Sequence, residues 1–141
     1  MATITPCAGF VPLWASPIIG TAAGLVCYFA VQLKNKMKWD DALDVWGVHG
    51  IGGVFGTVML GVFASKAINI NGADGLIYGG SSFFVKEIVA VVAAAIYAFI
   101  FTYLMLIIIN WITHVKVDAN VQKVGLDFGY HGEKAYDEGV L

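Results

Sequence analysis

Three long stretches free of Asp, Glu, Lys and Arg divide this chain, at residues 1–33, 45–65 and 88–114. Roughly 20 apolar residues cross the hydrocarbon of a bilayer, so each stretch predicts one membrane helix, near 13–33, 45–64 and 84–111. The preceding segment, 2–10, is apolar but too short to span before Pro12 and Pro17 interrupt it. The predicted fold is an all-α integral membrane protein of about three transmembrane helices, with a membrane region over 1–116 and a polar tail over 117–141.

Composition agrees with that pattern. Hydrophobic residues make up 59% of the chain and charged ones 13%, and the mean hydropathy is +0.78. An ordinary soluble domain needs far less apolar content to fill one core. The net charge of −2 and the lack of a basic run exclude a nucleic-acid binder, whose partner demands clustered Lys or Arg. No basic segment precedes an apolar core and cleavage site, so a removable signal peptide is not expected. Cys7 and Cys27 have neither a reason to pair nor a metal-ligand spacing, and no cofactor is implied.

Charge also orients the helices. Lys34, Lys36 and Lys38 follow the first predicted helix, and Lys116, Lys123 and Lys134 follow the third. By the positive-inside rule that loop and the tail are cytoplasmic, which leaves the Asn/Gly-rich connection 65–82 outside as an irregular, turn-rich loop. The adjacent Lys86 and Glu87 then fall at the external interface, where Lys can snorkel. Asp44 is placed to cap the helix that starts at Val45.

That second helix holds the candidate chemistry. Gly47, Gly50, Gly53 and Gly56 recur at intervals of three, with Gly52 and Gly61 beside them. Each glycine costs about 1 kcal/mol of helix propensity, so close approach to a neighbouring helix is the expected return. His49 is the one ionisable group in the stretch. It is either a buried histidine hydrogen-bonded to another helix or a residue of a proton or substrate route, because ionisable groups inside a membrane tend to mark such routes. No second His, Cys or carboxylate stands three or four residues on, which argues against a metal site.

The run Asp40-Asp41-Ala42-Leu43-Asp44-Val45-Trp46-Gly47-Val48-His49-Gly50-Ile51-Gly52-Gly53-Val54-Phe55-Gly56 strongly resembles the signature around the second pore histidine of the ammonium transporter family, the Amt/Mep/Rh channels. Ile4-Thr5-Pro6-Cys7-Ala8-Gly9-Phe10 is similar to the family segment that closes its eighth helix. Gly125-Leu126-Asp127-Phe128-Gly129-Tyr130-His131-Gly132-Glu133-Lys134-Ala135-Tyr136 is similar to its cytoplasmic tail motif. The resemblance implies the last helices of an eleven-helix channel fold, a homotrimer in the cell membrane with a cytoplasmic C-terminus, and ammonium or ammonia as substrate, with methylammonium as analogue.

By the same resemblance His49 is one of two hydrogen-bonded pore histidines, and Val45, one turn earlier, lines the pore. Gly125, Asp127, His131, Gly132, Glu133 and Tyr136 match a tail that packs on the neighbouring subunit and, in prokaryotes, can receive a PII-type signal protein. Residues 117–124 depart from the acidic run usual there. The partner histidine has no counterpart in the chain, so the expectation is a C-terminal piece of a transporter, inactive alone. The alternative is a small free-standing membrane protein that associates with or modulates a complete transporter. An enzyme finds no nucleophile, base or metal cluster to support it.

Overall fold

The computed structural model describes residues 2–133, and among these every regular element is helical. Two compact units divide the chain, Met1–Ile96 and Tyr97–Leu141. In the first unit, α1 (Ile4–Cys7) is a single turn and α2 (Ala15–Met37) a membrane-length helix. A π-helical turn (Trp46–Ile51) continues into α3 (Gly52–Phe63), and together these make a second candidate span. The third is α4 (Ser81–Ile112), which gives its first part to this unit and its remainder to the other.

The spans lie where the charge-free stretches place them, with ends moved by a few residues. Pro17 does not interrupt α2 because it sits in the first turn, where a missing N–H costs no helical bond. At the other end α2 runs on past Leu33, and Lys34 and Lys36 occupy its last turn, favoured by the negative end of the helix dipole. Lys38 closes it in the left-handed conformation (φ 55°), with its N–H and that of Trp39 bonded back to carbonyls of the final turn.

Along α2 the buried residues are Ala15, Ile19, Ala23, Ala30 and Lys34, an inward stripe spaced in fours and one seven. Most are small, so the neighbouring backbone can come close. The buried glycines of the next span are Gly47, Gly52, Gly56 and Gly61, of which the first two meet α2. An added Cβ on Gly47 would lie 2.8 Å from Val31 Cγ2, one on Gly52 would lie 3.1 Å from Cys27 Sγ, and one on Gly56 would collide with the Thr3 carbonyl. Gly61 meets Phe84 at the start of α4.

This set corrects the interval of three. Gly50 would touch only Trp46 of its own segment, and Gly53 has nothing within 4 Å. The cause is the π turn, whose bonds run five residues back. It brings residues five apart, Gly47 and Gly52, onto one face and turns Gly50 and Gly53 away.

The connection after α3 is more tied than an irregular loop. Ser65 N–H donates to the Phe10 carbonyl (2.9 Å), Gly75 N–H to Ala64 (2.8 Å) and Lys66 N–H to the Asp74 carboxylate (2.9 Å). A 3-10 turn, Leu76–Tyr78, leads to α4.

In the second unit the rest of α4 carries stacked pairs four residues apart, Tyr97 on Phe101 and Phe99 on Tyr103. No residue of α4 is buried, so its apolar surface is suited to lipid or to other protein. A short helix α5 (Ala119–Val124) and a second π turn (Asp127–His131) complete the described chain.

Candidate functional site

His49 stands in the π turn between Gly47 and Gly52, both of which are buried against other segments. With the glycines on the packed side, the imidazole emerges on the opposite, exposed side. Val45 is four residues earlier and 49% exposed, so the two side chains share one open face. Among the described residues the His49 ring has no hydrogen-bond partner. Within this chain the ring is exposed. A neutral imidazole that keeps both nitrogens available can accept a hydrogen bond at one and donate at the other.

The start of the turn is held by carboxylates, but not by the one with the obvious position. Asp44 does not cap the helix with its side chain. It adopts a left-handed conformation (φ 55°), and its carboxylate meets the Lys34 ammonium at 2.5 Å while its carbonyl accepts the Val48 N–H. The cap is Asp41, whose two carboxylate oxygens accept the Val45 N–H at 3.0 Å and the Trp46 N–H at 2.8 Å. These bonds, that of Trp46 foremost, hold the Asp41 carboxyl below the usual carboxylate range, with Lys34 adding to the effect.

Lys34 does more than mark the end of α2. It is only 5% exposed, and besides Asp44 it donates to the Asp41 carbonyl at 2.6 Å. Its place four residues after Ala30 on the inward stripe of α2 is the signal that could have found it. Trp39 packs edge-on against Trp46 at 5.0 Å between ring centroids, a second tie between the two ends of the same loop.

The remaining predicted site residues fall in the second unit. Asp127 and His131 bound the π turn, whose end is marked by Gly132 at φ 67°, and Glu133 N–H donates to the Asp127 carbonyl at 3.3 Å. Gly125 takes φ 98°, a conformation open to glycine at little cost. These residues share one local turn, while Tyr136 lies outside the described residues. Among the described residues no three His, Cys, Asp or Glu side chains converge as metal ligands, and both cysteines are free thiols.

Residues 1–136 match the sequence profile of the Ammonium Transporter Family. An ammonium transporter of Bacillus subtilis is 43% identical over 141 residues, which are 99% of this chain and 35% of the relative. The ammonium transporter Amt1 of Archaeoglobus fulgidus is 38% identical over 136 residues, 96% of this chain and 34% of its own length. Among solved structures, Mep2 of Saccharomyces cerevisiae superimposes with a TM-score of 0.76 at 32% identity, covering 84% of this chain and 28% of that one. The chain thus spans about a third of the length of these relatives.

Proposed function

As the chain belongs to the Ammonium Transporter Family, we propose that it takes part in moving ammonium or ammonia across a membrane, with the face bearing His49 and Val45 as one wall of the route. The observation that carries the reading is the two-sided build of residues 45–56. Glycines commit one side to close packing, and the imidazole is left on the other with no partner among the described residues.

In this reading the ring accepts a hydrogen bond from the passing molecule or relays a proton beside it, and Val45 supplies an apolar surface that keeps water out. Its other nitrogen is fixed by a second histidine, supplied by protein outside this chain. The helices of the first unit leave the His49 face open, so other segments complete the wall. The apolar surface of α4 meets lipid or a neighbouring subunit of a homotrimer. The tail is cytoplasmic, and its turn at Asp127–His131 docks on that neighbour or on a PII-type signal protein.

The test uses a chimera in which this chain replaces the matching third of the Bacillus subtilis relative, assayed by methylammonium uptake in cells. His49→Ala is expected to change uptake or its coupling to charge by about tenfold or more, the scale of losing one hydrogen bond to a charged or polarised partner. Uptake equal to that of the unsubstituted chimera would sink the pore role.

A further inference from the structure

We propose that Lys34 is a positioning residue for His49, a clasp that reaches from α2 to the cap of the π turn and keeps the imidazole on its open face. The proposal rests on the pore-wall reading of His49 for its functional consequence, though not for its geometry. Lys34 is held apart from its neighbours by burial, since Lys36, Lys38 and Asp40 are all exposed. An ammonium removed from water costs free energy unless it is fully partnered, and this one is bonded to both ends of the turn that precedes the helix. It donates to the Asp41 carbonyl at one end and to the Asp44 carboxylate at the other.

Each end of that turn in its own way sets the start of the helix. The Asp41 side chain caps Val45 and Trp46, and the Asp44 carbonyl accepts the Val48 N–H that opens the helix. A π turn is rare and occurs mostly as a single turn inside an α-helix, so particular contacts are needed to hold it. Here two contacts impose it on the same side: Gly47 against Val31, one turn before Lys34, and the Lys34 clasp itself. Loosening the clasp frees the cap, and the first turn can then relax toward ordinary α-helical bonding. That change rotates His49 and Val45 away from their shared face without touching either side chain.

A merely structural ion pair would alter stability alone, so the experiment reads position and transport separately. In the full 141-residue chain reconstituted in lipid nanodiscs, Lys34→Met is expected to speed amide exchange at Val45 and Trp46 by about tenfold or more, with the middle of α4 unaffected. In the uptake chimera the same substitution lowers the maximal rate per folded molecule about tenfold, with the half-saturating concentration within about twofold of its starting value. Lys34→Arg, which keeps charge and reach, recovers most of both.

Unchanged exchange at Val45 and Trp46 overturns the proposal, and so does faster exchange accompanied by an unchanged maximal rate. If Lys34→Met does not fold, Asp44→Asn takes its place, since Asn tolerates the left-handed backbone and the same directions are expected. His49→Ala is run beside these variants. Should it leave uptake intact, the pore-wall reading fails, while the exchange data still decide whether Lys34 holds the turn.

Discussion

At the scale of single residues, the glycines of 47–61 divide by what an added methyl would meet. Gly56 faces the Thr3 backbone, which cannot move aside cheaply, whereas Gly53 faces open space within this chain. Gly56→Ala is therefore expected to destabilise the folded chain by roughly 1–3 kcal/mol through overpacking. Gly53→Ala is expected to stabilise it by up to about 1 kcal/mol through helix propensity. Denaturation of the two variants in detergent micelles checks the contrast, and equal effects would refute the assignment of faces. The sequence showed that this helix packs tightly but not which glycines do it. Regular spacing assumes regular helix, and one π turn shifts the register.

Asp41 and Asp44 teach the same lesson about side chains. Both are good capping residues, and Asp44 adjoins the helix, yet its left-handed backbone gives its carboxylate to Lys34 and leaves the cap to Asp41. Aspartate adopts a positive φ more readily than most residues, but that preference does not say which of two neighbouring aspartates will do so. Because the Asp41 carboxyl is held below its ordinary range by the N–H groups it accepts from, its contribution is complete above the unfolded-state value. That contribution is lost as the pH falls through the lower, folded value. Acid titration of the helix signal should show this loss at the acid edge of the carboxylate range, and Asp41→Asn should flatten it.

At the scale of elements, the three spans were legible because hydrophobic length is a coarse quantity that tertiary packing does not alter. They are nevertheless unequal. The most apolar 18 residues of α4 have a mean hydropathy of 2.5 with none buried, while Trp46–Phe63 reaches only 1.4 and has 22% of its residues buried inside the protein. Helices that pack through small residues rely on neighbours more than on lipid. Fused singly to an insertion reporter, α4 is expected to enter the membrane efficiently and Trp46–Phe63 poorly. Efficient insertion of the second alone would contradict its dependence on α2. Lys34 was half-legible at this scale: its charge marks the helix end, but only the stripe through Ala23 and Ala30 turns it inward.

At the scale of the whole molecule, the proposed orientation, argued from lysine placement, has the loop that follows α2 and the tail on the cytoplasmic side. Cysteine-accessibility labelling should therefore find Ile70 reachable from outside the cell and Asp118 only after permeabilisation. Reversed labelling would overturn the orientation. The chain spans about a third of the length of the Bacillus subtilis relative.

The π turn at Trp46–Ile51 amounts to one surplus residue in a helix, and it works as a phase shift between two demands that a regular helix could not meet together. Deleting Gly50 would remove the surplus and let the turns on either side join as a regular α-helix, changing the direction in which His49 points. The resulting helix should be smoother and intrinsically better bonded. In the chimera it should also transport less, because the residue that looks dispensable is what lets one rod serve two directions.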